Sequence, residues 1–122
     1  MIGYATIGAN DLDRARGFYD KIMEPLGGKR TMAFDRMQFY GGQGQTMLAV
    51  CLPYDGQPAS AGNGSMFGLP AASREAVNAA HAAALGAGGS DEGAPGQRMD
   101  GFYGAYFRDL DGNKLCAFST GA

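Results

Sequence analysis

Few side chains in this sequence could carry chemistry. The 122 residues include one imidazole, His81, two thiols, Cys51 and Cys116, and 12 carboxylates. A thiol beside a His would suit nucleophilic catalysis, and His grouped with carboxylates would suit metal binding or proton transfer. The spacing favours neither. Val77 and Leu85 lie four residues to either side of His81, so the imidazole reads as a helical residue packed at an apolar boundary. Cys116 has cationic neighbours in Arg108 and Lys114 that would depress a thiol pKa, but no His lies near it in sequence. An inert buried thiol is the reading. Cys51 also sits in an apolar run, and no disulfide is expected. Asp11, Asp13, Asp20, Glu24 and Glu75 fall on helices or their caps. Asp35, Asp55, Asp91, Glu92, Asp100, Asp109 and Asp111 fall in turns and loops, so no carboxylate is expected inside a strand. Gly41-Gly42-Gln43-Gly44 precedes no helix and no Lys-Ser/Thr pair, which makes it a hairpin turn and not a phosphate loop.

The bulk composition sets the class. A hydrophobic share of 45% with 11% aromatics suits one soluble globular domain with one core. A net charge of -2 gives no electrostatic footprint for nucleic acid. No basic segment leads into a long apolar run and no stretch approaches the roughly 20 residues of a membrane span, so a cytoplasmic location without membrane contact is expected. Glycine is abundant, at 21 residues, and aperiodic, which marks short strands and tight connections.

The elements that must position any site follow in order. Ile2–Gly8 reads as a strand. Asn10 or Asp11 caps a helix whose stripe is Leu12, Ala15, Tyr19, Ile22 and Leu26, stopped by Pro25 and Gly27-Gly28. Lys29–Phe34, Met37–Tyr40 and Thr46–Leu52 read as short strands. Pro53–Gly64 is polar and rich in Gly and Pro, hence a crossover or a flap. Ser65–Leu69 reads as a strand, and Ser73 caps a helix over about Arg74–Leu85. Ser90–Asp100 reads as a mobile loop. Gly101–Phe118 closes the chain as strand, turn and strand, with Asp109-Leu110-Asp111-Gly112-Asn113 as the turn.

A duplication underlies this order. Tyr4 and Met66, Asp11 and Ser73, Ala15 and Val77, and Tyr19 and His81 pair at one offset of about 62 residues, and both helices end in Gly-Gly. The chain thus divides into module one (1–52), a crossover (53–64) and module two (65–122) within a single domain. Two strand–helix–three-strand modules side by side would face their sheets together, carry a helix on each outer face and enclose a cleft.

The opening YATIGANDLDRARGFYDKIMEPLG, the helix SREAVNAAHAAALGAGG and the closing YFRDLDGNKLCAF together resemble the vicinal oxygen chelate superfamily of glyoxalases, bleomycin-resistance proteins and dioxygenases. The resemblance spans essentially the whole chain. It implies an α+β fold of paired βαβββ modules in a cupped, mostly antiparallel sheet with helices on the outer face. It also implies frequent homodimers. Metal-using members place a His on the first strand, a His on the first strand of the second half and a Glu on the last strand. Those positions fall here on Tyr4, Met66 and Cys116. None is a His or a Glu. Glyoxalase-type isomerisation needs a metal and a carboxylate base, and ring-cleaving dioxygenation needs two His and a carboxylate on iron. A thiol of pKa about 8.5 and a phenol of about 10 stay mostly protonated at pH 7.

Strand parity places Phe102, Tyr106 and Arg108 on the cleft side if Cys116 faces it, with Tyr4, Met47, Met66 and Phe118 completing the wall. Such aromatic and thioether surfaces bind flat or apolar molecules, and Arg108 could hold an anionic group. The expectation is a small-molecule-binding protein, homodimeric, with no cofactor, no metal and no catalytic residue. A metal-dependent lyase of the lactoylglutathione lyase type is the alternative, as is a non-catalytic dimer whose cleft is filled by its own side chains.

Overall fold

The computed structural model describes residues 1–42 and 44–121. Each half runs strand, helix, three strands. Module one holds β1 (Tyr4–Gly8), α1 (Leu12–Met23), β2 (Lys29–Phe34), β3 (Met37–Gly41) and β4 (Met47–Cys51). Module two holds β5 (Phe67–Pro70), α2 (Arg74–Gly86), β6 (Ser90–Met99), β7 (Phe102–Arg108) and β8 (Lys114–Ser119). The two four-stranded sheets have the same mixed order, β1-β4-β3-β2 and β5-β8-β7-β6. In each, the first strand runs parallel to the last strand of its module and the remaining pairs are antiparallel. This is the paired βαβββ arrangement, an α+β fold. The turn expected at Gly41–Gly44 includes Gln43, which lies outside the described residues.

The duplication is exact in its capping chemistry. The side chains of Asp11 and Ser73, related by the repeat, each cap their helix by accepting from a backbone N–H three residues on. Both helices bury the stripe that their spacing demands. Leu12, Ala15, Phe18, Tyr19 and Ile22 of α1 and Val77, Ala80 and Ala84 of α2 join one core with Ile7, Leu48, Val50, Phe107 and Leu115 from the sheets, and His81 is buried on the same helix as the latter three.

Two expectations need correction. First, Ser90–Met99 is a strand, not a mobile loop. It is the outer strand of its sheet and pairs with β7 through three register shifts. Bulges and an edge position accommodate Pro95, which has no N–H for a central ladder, and the glycines that erase a period-two pattern. Asp91 and Glu92 therefore do lie on a strand. Second, the two sheets of one chain do not face each other. α1 and α2 pack together between the modules, and Phe18 of α1 meets Phe107 on the helix side of the second sheet, ring centroids 6.5 Å apart. Each sheet covers a helix with one face and leaves its other face open.

The closing turn locks the modules. Buried Asp109 accepts from the Tyr19 hydroxyl at 2.6 Å, from Asn113 Nδ2 at 2.9 Å, and from the backbone N–H groups of Asp111 and Asn113, both at 2.9 Å. Asn113 Nδ2 also donates to the Gly8 carbonyl at 2.9 Å. Asp111 accepts from Asn10 N at 3.1 Å and Arg14 Nη2 at 3.2 Å. The Asp-x-Asp-Gly-Asn run thus does more than reverse the chain: it fastens the end of module two to β1 and α1 of module one.

Candidate functional site

The open face of the second sheet carries most of the expected wall. Alternation along β7 turns Tyr103, Ala105 and Phe107 to the helix and Phe102, Gly104, Tyr106 and Arg108 outward. β8 turns Leu115 and Ala117 inward and Lys114, Cys116 and Phe118 outward. The rings of Phe102 and Phe118 stack at 5.4 Å with 10° between their planes. Two glycines leave room for them: a Cβ on Gly104 would stand 3.0 Å from the Phe102 ring, and one on Gly68 would stand 3.1 Å from the Phe118 ring.

Tyr106 is the centre of this face. Cys116 is its direct cross-strand partner. Burial, and then the neighbouring Cys116, raise the Tyr106 phenol, and burial raises the Cys116 thiol. The pair is neutral at pH 7. The Arg98 guanidinium lies 5.3 Å from the Tyr106 ring centroid and Lys114 Nζ lies 5.7 Å from it, both within cation–π range. Arg108 Nε stands 3.1 Å from Glu92 Oε1, and its Nη1 donates to the Gly112 carbonyl at 2.9 Å. At this end of the sheet a depression of about 590 Å³ is lined by Ala61–Met66, where the crossover enters module two, and by Arg108 and Lys114.

The open face of the first sheet is apolar. Tyr4 and Met47 are partners across β1 and β4. Tyr4 and Phe34 both meet Phe39 edge-on, with centroids at 5.5 and 6.1 Å, and the Thr31 hydroxyl donates to the Met47 sulfur at 3.5 Å. Tyr4 and Phe34 remain 59% and 58% exposed, large aromatic surface that a folded chain ordinarily covers.

The eight residues expected to line one cleft therefore lie on two separate faces. Phe102, Tyr106, Arg108, Cys116 and Phe118 share the second sheet, Tyr4 and Met47 the first, and Met66 sits just ahead of β5 at the depression. One chain does not enclose a cleft between them. The expected absence of carboxylates from the sheets is also corrected: Glu92 reaches the second open face, where Arg108 pairs with it, while Asp91 turns to the helix and meets His81 Nε2 at 2.9 Å. His81 is buried edge-on against Phe107. Arg98 and Glu92 were hidden by reading β6 as a loop. The repeat held the missing signal, since its offset of about 62 residues carries Lys29–Phe34 of β2 onto the heart of β6.

The sequence profile described as Glyoxalase/Bleomycin resistance protein/Dioxygenase superfamily matches residues 1–117. The chain belongs to this superfamily. A glyoxalase/bleomycin resistance protein from Albidiferax ferrireducens shares 40% identity over 97% of both chains, with a TM-score of 0.90. A hypothetical protein from S. aureus shares 25% identity over 98% of this chain and 92% of its own, with a TM-score of 0.74. A glyoxalase-related enzyme from Fulvimarina pelagi, at 20% identity over 97% and 86% and a TM-score of 0.74, shares the fold. No curated protein matches in sequence. Two cysteines stay free, and no helix of the described residues is long and apolar enough to cross a membrane.

A divalent metal, as the superfamily's enzymes use, does not fit the donors present. Tyr4 offers a phenol, Met66 a thioether and Cys116 a thiol whose pKa burial raises. They lie on different faces, and the described residues contain no group of three His, Cys, Asp or Glu placed to hold an ion. Glu92 is engaged by Arg108.

Proposed function

We propose that this superfamily member is a metal-independent binding protein for a small, flat, largely apolar or aromatic molecule, and that a homodimer builds its site. The observation that carries the reading is the outer face of the second sheet. Stacked Phe102 and Phe118, with Tyr106 and Cys116, form an uncharged aromatic centre, rimmed by Arg98, Arg108 and Lys114, where the enzymes of the superfamily present metal ligands. The first sheet's exposed Tyr4 and Phe34 supply the opposing wall when contributed by a second copy. In such a dimer each half of one chain serves a different cleft, which suits modules held back to back through their helices.

Light scattering should give a mass near twice the 12.7 kDa chain, and elemental analysis should find no stoichiometric Zn, Ni or Fe. A thermal-shift screen should show stabilisation by flat aromatic compounds but not by divalent ions. One tightly held metal per chain, or a monomer that binds no aromatic compound, overturns the proposal. Phe34→Glu should convert dimer to monomer while leaving the helices' core untouched, because Phe34 packs on Phe39 outside that core.

A further inference from the structure

The second sheet's open face concentrates positive charge without balancing it. Arg108 and Lys114 are direct cross-strand partners at the end of the β7–β8 hairpin. Like charges so placed destabilise a strand pair. Arg98 adds a third cation over the same Tyr106 ring that Lys114 covers. Glu92 is the carboxylate that answers them, and it pairs with Arg108 alone; Arg98 and Lys114 make no ion pair among the described residues. All this sits in a chain whose net charge is -2.

The backbone is shaped to keep Arg98 there. A Cβ on Gly93 would stand 2.9 Å from the Tyr106 ring and 3.3 Å from Arg98 Nη2, so any other side chain would push the guanidinium aside. An Arg98 Nη2 hydrogen bond to the Ala94 carbonyl pins it along its own strand. Lys114, whose Nζ lies over the same Tyr106 ring, also lines the depression that Arg108 and Ala61–Met66 complete.

From this arrangement we infer that the bound molecule is an organic anion: a flat ring on the Phe102–Phe118–Tyr106 wall with a carboxylate or phosphate directed to Lys114, Arg98 and the depression. The inference rests on the binding reading above and specifies its ligand class. Charge-assisted hydrogen bonds to an oxyanion are the strong ones, and a site already desolvated on one side by aromatic rings favours them.

The test uses the full-length, isotope-labelled protein in NMR titrations with naphthalene-2-carboxylate, 2-naphthyl phosphate, the neutral isostere 2-naphthalenemethanol, and inorganic phosphate. At least one naphthyl anion should bind about tenfold or more tighter than the alcohol, shifting the amides of Lys114, Tyr106 and Ser65. Which anion wins separates carboxylate from phosphate. Lys114→Met and Arg98→Gln should each narrow the anion's advantage over the alcohol at least severalfold, read as the ratio of the two affinities in the same variant. Arg98 is exposed and Lys114 half-buried, and a thermal melt confirms that each variant is folded. Equal binding of anion and alcohol overturns the inference and leaves the aromatic reading standing. Binding of inorganic phosphate at Lys114 with no response to any naphthyl compound keeps the anion site and removes the aromatic reading. No shift from any of the four removes both.

Discussion

Replacing Tyr19 by Phe deletes one hydroxyl and should weaken the joint between the two modules more than any exposed substitution. The phenol donates at 2.6 Å to Asp109, whose carboxylate is buried and organises the closing turn through three further donors. Burial first, and Asp109 next, push the Tyr19 pKa well above its ordinary value, so the hydroxyl stays protonated and stays a donor at any pH the fold survives. A hydrogen bond to a charged acceptor contributes about 1.5–3 kcal/mol, and the buried carboxylate left with one donor fewer cannot recover it from water. The Phe ring keeps the packing with Phe18 and Tyr40, so no cavity is added. For a chain of 122 residues the unfolding entropy is about 0.26 kcal/mol/K, which makes 1 kcal/mol worth about 4 °C. The expected fall in Tm is therefore about 6–12 °C by calorimetry or circular dichroism, in a single transition. Tyr40→Phe is the comparison. Its hydroxyl donates to Asp20 at 2.9 Å and to the Arg16 carbonyl at 3.2 Å in a more solvated place, and about half the loss is expected. A Tyr19→Phe variant melting within about 2 °C of the parent would refute the claim that this bond fastens the modules.

Two further predictions concern titration and reactivity. The bidentate Arg30 pair, helped by the Tyr40 hydroxyl, lowers the Asp20 pKa. A folded-state value below the unfolded value of about 3.9 gives stability that is present above that pH and fades as pH falls through it. Arg30→Met should thus cost roughly 0.2–1 kcal/mol at pH 7, the range for exposed pairs, and progressively less below pH 4. Melts at pH 3, 5 and 7 check this, and a difference undiminished at pH 3 contradicts it. Cys116, its thiol raised by burial, should label with iodoacetamide at pH 8 at least about tenfold slower in the folded protein than in urea, read by peptide mass spectrometry. Equal rates would show a thiolate available on the wall and reopen a nucleophilic role.

The parts of the fold that were legible from sequence share one property: their side chains alternate or recur. β7 and β8 were readable because Phe102–Arg108 and Lys114–Ser119 switch between apolar and mixed residues every second position. The two helices were readable from stripes and from Asp11 and Ser73 at their caps. β6 was not, because Gly93, Pro95 and Gly96 supply no alternation, and three register shifts break its pairing into fragments. Its pairing comes from β7, a tertiary cause invisible in a local window.

The same cause hid Arg98 and Glu92, the charged residues that β6 brings to the candidate site. Reading Phe102, Tyr106, Cys116 and Phe118 as a wall required only parity on one hairpin. Placing Arg98 over Tyr106 required knowing that β6 lies alongside β7 and that Gly93 leaves the space between them. A strand built from glycine has little to gain from its own side chains; its value is in letting a neighbour's occupy the face. That is how the feature that made β6 unreadable came to position a cation on the ring at the centre of the wall. It also explains why the failure of local periodicity fell here and not in the core strands: where a segment's sequence serves an adjoining surface and not its own burial, its pattern belongs to that surface.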